Sequence, residues 1–181
     1  MLKLSSFIYR VSRCSAWTIT LLLLWLAMPA HSENMPEYRI KAGFLYNFAT
    51  FTEWPPEVKN TLNLCIHGQS PFGEHLEELQ GNKVDGRRLN ILNLSSSELS
   101  DCQIVFFARS DIQNLLPLLN KLSGKPVLTV ADSPDAAQQG VILNMINEQN
   151  SITFEANQIS ARKNGLLLSS KLLRLASKVY Q

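Results

Sequence analysis

The apolar positions of this chain follow two rhythms, short unbroken runs and stretches with a helical repeat, and the two alternate along most of its length. Residues 102–108 (CQIVFFA) and 127–131 (VLTVA) are continuous apolar runs, which suits strands buried on both faces of a parallel sheet. Residues 62–68 (LNLCIHG) and 89–94 (LNILNL) read as two more strands, the second with clear alternation. Residues 141–146 and 152–156 flank the turn-forming segment NEQN, so they predict an antiparallel hairpin.

Helical patterns fill the gaps. Ser70 is placed as an N-cap and Pro71 as the first helical residue of a helix over 72–79. A second helix over 110–122 turns Ile112, Leu115, Leu116 and Leu119 inward, and Gly124 lies just past its end. The tail from residue 158 reads as helical with a break at Gly165, its buried stripe being Leu168, Leu172, Leu175 and Val179. Residues 81–88 read as a polar connection, 95–101 as a turn, and 133–139 as helical or irregular. Strands alternating with helices predict an α/β fold: a three-layer, mainly parallel Rossmann-like or flavodoxin-like sheet with flanking helices and a C-terminal antiparallel hairpin edge. In either strand order the first and third strands can be neighbours, which would bring Cys65 near Cys102.

The helix predicted over 37–52 is unusual. At 100° per residue Ile40, Phe44, Phe48 and Phe51 fall together, and Tyr38, Ala42, Leu45 and Ala49 widen that side beyond what one sheet face covers. Either the helix is sandwiched within the fold, or part of its aromatic side meets a partner or a second subunit. Phe44, Phe48, Phe51 and Trp54 are the candidates for such an interface. Pro55 and Pro56 end the helix.

The first 32 residues change how the composition reads. Lys3, Arg10 and Arg13 precede an apolar run from residue 16 to 28, and Ala30-His31-Ser32 places small residues where a signal peptidase cuts. The run is short for a membrane span, so cleavage near Ser32 is expected, leaving one exported domain over 33–181. Three of the 17 basic residues lie in the signal, which leaves 14 against 15 acidic ones, a net charge of −1. That balance points to neither nucleic acid nor an anionic membrane as partner. Of three cysteines Cys14 leaves with the signal, and an isolated pair, Cys65 and Cys102, is most simply a disulfide in an oxidising compartment. Two buried free thiols are the alternative.

Catalytic motifs are absent. The glycines at 68 and 73 have a phosphate-loop spacing, but Glu74 stands where that loop needs lysine. Ser169-Ser170-Lys171 has the wrong offset for a serine–lysine pair and reads as a helix start. No metal set or cofactor motif is recognisable. His67 and Asp132 sit at strand ends and would be the only acid–base pair to consider. Ligands of open α/β sheets favour the rim beyond the strands' carboxyl ends, which here would carry His67, Gln69, Ser70, Arg109, Ser110, Asp132 and Ser133. Such polar groups are also what any loop needs.

The phrase from Lys41 to Pro55 (KAGFLYNFATFTEWP) is more particular than helix periodicity requires, and it resembles the opening motif of the YfiR-like family. Further similarity runs through Pro71-Phe72-Gly73, Cys102-Gln103-Ile104, Phe154-Glu155-Ala156-Asn157 and Gly165-Leu166, and so through nearly all of 33–181. The resemblance implies a non-enzymatic periplasmic repressor. Its partner would be the sensory region of a membrane-anchored diguanylate cyclase, with an outer-membrane lipoprotein as antagonist, and it would form a homodimer whose fold a disulfide supports. The second disulfide of the family's namesake has no counterpart here. A periplasmic small-molecule binding or sensor module is the alternative reading.

Overall fold

The computed structural model describes residues 35–93, 99, 101–149 and 151–181; the predicted signal and most of the serine-rich connection lie outside the described residues. In chain order the strands are β1 (Thr52–Glu53), β2 (Thr61–His67), β3 (Lys83–Val84), β4 (Arg87–Asn93), β5 (Ile104–Phe107), β6 (Leu128–Ala131), β7 (Leu143–Glu148), β8 (Ser151–Asn157), β9 (Leu167–Leu168) and β10 (Lys178–Tyr180). The helices are α1 (Met35–Thr50), α2 (Leu115–Leu122), α3 (Gln158–Lys163) and α4 (Ser170–Leu175), with 3-10 segments at Gly73–Leu79 and Arg109–Asn114.

Five parallel strands lie in the order β4-β2-β5-β6-β7, the flavodoxin-like arrangement. Their side chains explain why they sit at the centre: all four residues of β5 and all four of β6 are buried, so each strand must be covered on both faces. One face packs Leu64, Ile66, Ile104, Phe106, Leu128 and Val130 against α1 and the C-terminal elements. The other packs Cys65, Val105, Phe107 and Ala131 against α2. β8 pairs antiparallel with β7, and β3 closes the opposite edge antiparallel to β4.

Several local expectations shift. The tail ends in a strand, not a helix: β10 runs parallel to β8, outside the hairpin. Val179 and Tyr180 explain it, since a β-branched and an aromatic residue favour an extended edge. The connection 81–88 contains a hairpin, with Asp85 at φ 48° and Gly86 at φ 78°, the left-handed pair that a two-residue turn requires. The helix predicted at 110–122 breaks at Asp111 (φ −133°), which resets its phase. Leu115, Leu118 and Leu122 therefore face inward and Leu116 outward. Gly73–Leu79 is a 3-10 turn, and Ser70 Oγ accepts from the Phe72 N–H at 3.4 Å ahead of it. Leu175 is exposed because α4 is only six residues long and its inner side is Leu172.

Candidate functional site

α1 buries the Phe48–Ala42 side of its apolar arc and leaves the Ile40 edge open. Its inward residues are Lys41, Ala42, Leu45, Phe48 and Ala49, while Ile40 is 52% exposed. A lysine takes a core position because its charge is met there. Lys41 Nζ lies 2.6 Å from Asp132 Oδ2, both side chains being fully buried, and 2.5 Å from Glu37 Oε1. Tyr38 donates its hydroxyl to the same Asp132 oxygen at 3.0 Å. Arg109 Nε donates to the Asp132 carbonyl at 2.8 Å and stands 3.4 Å from Oδ1. Asn147 Nδ2 donates to Glu37 Oε2 at 3.2 Å, tying the start of α1 to β7. Two cations and two carboxylates thus balance at the carboxyl end of β6.

This environment moves two ionisations. Burial, and then the negative charge of Asp132 and the hydrogen bond to it, pushes Tyr38 from its ordinary 10.0 up to about 12. The hydrogen bond from Lys41 holds Glu37 below the ordinary carboxylate value, against the opposing effect of burial. A raised folded-state value stabilises fully below the unfolded one and is lost as pH rises through the folded one. Tyr38 should therefore supply stability that declines between pH 10 and about 12. After discounting for solvent screening the loss should be about 1–2 kcal/mol. Comparing urea unfolding of the wild type and Tyr38→Phe across that window isolates it; equal slopes would refute the assignment. Glu37 acts oppositely, its contribution being lost as pH falls through its lowered value.

His67 does not meet Asp132. Its Nε2 lies 2.6 Å from Asp111 Oδ2, and its ring packs edge-on against Phe107. The crevice between β2 and β5, where flavodoxin-like folds seat ligands, is bridged by the chain itself. Gly68 has φ +91°, and a Cβ there would stand 2.8 Å from Ser110 Oγ. That hydroxyl accepts from the Gln69 N–H at 2.8 Å. Ser133 is buried, and its carbonyl accepts from Asn144 Nδ2 at 3.0 Å. His67, Arg109 and Asp132 thus each stand against a charged group of the chain and Ser70 accepts from Phe72, while both His67 ring nitrogens, Asp132 Oδ1 and Ser133 Oγ are buried without an aligned hydrogen bond. Sequence reasoning missed Glu37, Tyr38 and Lys41; the available signal was a lysine at helical spacing with Ala42, Leu45 and Phe48.

The aromatic candidates divide. Phe48 is fully buried, its ring 5.0 Å from Phe154 and 5.6 Å from Phe44. Phe44, Phe51 and Trp54 are half-buried. The Trp54 indole donates to the Ala49 carbonyl at 3.0 Å, and Lys171 Nζ lies 4.8 Å from the Phe51 ring centre. A disulfide joins Cys65 to Cys102, Cα to Cα 5.9 Å, where β2 and β5 run side by side. Among the described residues no group of three or more His, Cys, Asp or Glu could hold a metal ion, and no helix is long and apolar enough to cross a membrane.

The fold and the site together define a doubly wound α/β domain with a buried ion cluster at the carboxyl end of β6. The chain belongs to the YfiR/HmsC-like family, whose model matches residues 38–177. That family comprises periplasmic regulators of diguanylate cyclases, regulatory rather than catalytic. Among solved structures the chain is similar to the ABC domain in complex with L-Trp from Streptococcus pneumonia, with TM-score 0.53 and 11% identity over 76% of this chain and 60% of that one. A conserved domain protein from Vibrio cholerae O1 biovar eltor gives TM-score 0.47 and 8% identity over 78% of this chain and 60% of that one. The chain spans about 60% of the length of each, and at such identities the first likeness is one of fold alone.

Proposed function

We propose that this protein is exported to the periplasm after cleavage near Ser32, where as a homodimer it represses an inner-membrane diguanylate cyclase by direct contact until an outer-membrane lipoprotein sequesters it. Membership of the YfiR/HmsC-like family over residues 38–177 carries this reading. A buried disulfide suits an oxidising compartment. Phe44, Phe51 and Trp54, half-buried on α1 and just beyond it, form the contact surface, and Phe48 supports them from beneath.

Phe51→Ala and Trp54→Ala separate binding from folding. Each should weaken capture of the cyclase's periplasmic region by about thirty-fold, roughly 2 kcal/mol, and raise cellular cyclic-di-GMP. Circular dichroism and melting should change little. Unfolding of both variants at ordinary temperature would make these aromatics core and remove them from the interface. Wild-type protein that leaves cyclic-di-GMP unchanged, yet melts higher with a small periplasmic solute, would replace repression by the sensor-module reading.

A further inference from the structure

The net charge of the chain hides a segregation. Residues 158–181 carry Arg162, Lys163, Lys171, Arg174 and Lys178 and no acidic residue, whereas 33–157 hold nine basic residues against 15 acidic. The same short stretch contains three of the five large hydrophobic side chains exposed among the described residues, Ile159 at 58%, Leu167 at 55% and Leu175 at 63%. From this juxtaposition we infer that the outer face of α4, with Leu167 beside it, docks on an anionic phospholipid surface. This goes beyond the protein contact proposed above and does not depend on it.

The placement is built by helical spacing. Lys171, Arg174 and Leu175 stand three and four residues apart, so they share the outer side of α4 while Leu172 faces the core. α3 repeats the spacing with Ile159, Arg162 and Lys163, all exposed. The Ser169 N–H donates to the Phe51 carbonyl at 3.0 Å, which fixes the start of α4 against the end of α1. Lys171 sets its ammonium over the Phe51 ring, 4.8 Å from its centre, which holds this cation at the junction of α4 and the end of α1.

Two arguments favour lipid over an acidic protein. Protein interfaces anchor on Trp, Tyr and Arg set in pockets, and leucine is under-represented among such anchors. Single aliphatic tips among cations suit shallow insertion at the headgroup level, with Lys and Arg reaching lipid phosphates. Acidic side chains border the C-terminal segment, Glu53 opposite Leu167 across the β1–β9 pair and Glu155 beside Lys178, so Lys171 and Arg174 on α4 carry the attraction to an anionic surface.

Vesicle sedimentation of the purified exported protein tests this. Vesicles of phosphatidylcholine with about 30% phosphatidylglycerol should capture it, pure phosphatidylcholine should not, and capture should fade as salt rises from about 0.02 M to about 0.3 M. Lys171→Gln with Arg174→Gln should weaken capture about 25-fold, about five-fold for each charge removed, with melting unchanged. Leu167→Ser with Leu175→Ser should weaken it several-fold and leave the salt dependence intact. Equal capture by both vesicle types, or indifference to these four substitutions, overturns the proposal. So does loss of cyclase capture in the glutamine variant when vesicles never bound the wild type, which would assign the face to an acidic protein surface.

Discussion

Replacing Lys41 by Met should cost about 3–5 kcal/mol of folding stability, the loss expected when one partner of a buried ion pair is removed. Asp132 would keep the Tyr38 hydroxyl at 3.0 Å and Arg109 Nε at 3.4 Å, neither of which replaces an ammonium at 2.6 Å. Asp132→Asn should be milder, about 1–3 kcal/mol, because Lys41 retains Glu37 at 2.5 Å. Lys41→Met combined with Asp132→Leu should recover most of the loss, since well-packed apolar residues can replace a buried pair without penalty. Urea denaturation of the three variants measures all of this. A cost under about 1 kcal/mol for Lys41→Met would mean that the Asp132 carboxylate needs no cation at this site.

The same residue marks the limit of sequence reading here. Strands β2, β4, β5 and β6, and the β7–β8 hairpin, were legible because continuous or alternating apolar runs bounded by glycine and proline have few other solutions. The disulfide was legible as an isolated cysteine pair, and the α/β pattern allowed, without fixing, the adjacency of β2 and β5 that the structure shows. What misleads is polarity: a helical wheel gives Lys41 no apolar face, although it falls between Phe48 and Leu45 in the middle of the arc, while Ile40 at the arc's edge is half exposed. Only the tertiary arrival of Asp132, 91 residues away, makes a lysine an inward residue. At 110–122 Leu115 is buried and Ile112 and Leu119 pack against the core as expected, and only Leu116 turns outward, because a kink at Asp111 shifts the repeat. Among the rim residues, position was legible and partnership was not. His67 and Asp132 both end strands, yet the segment after β5 brings Asp111, not Asp132, to His67.

Loss of the Cys65–Cys102 bridge should produce an effect of similar size by a different route. The two residues are 37 apart in sequence, and closing a loop of that length removes about 3–4 kcal/mol of unfolded-chain entropy in the simple model. In the folded state the bridge fastens the approach to β5 against the middle of β2. Hydrogen bonds assist it there, Gln103 N–H to the Asn63 carbonyl at 3.0 Å and Asn63 N–H to Gln103 Oε1 at 2.9 Å. Both cysteines are buried in the apolar cluster with Val105 and Phe107, so Cys65→Ser adds a hydroxyl with little water to satisfy it. Reduced wild type should therefore lose about 3–4 kcal/mol, and Cys65→Ser about 1–3 kcal/mol more. Thiol labelling of the denatured, non-reduced exported protein should find no free cysteine, and two reactive thiols would sink the claim. Because the bridge lies in the core and away from α1, repression per folded molecule should be unchanged in the serine variant. A variant that stays folded at low temperature yet no longer lowers cyclic-di-GMP there would instead place the disulfide in the signalling mechanism.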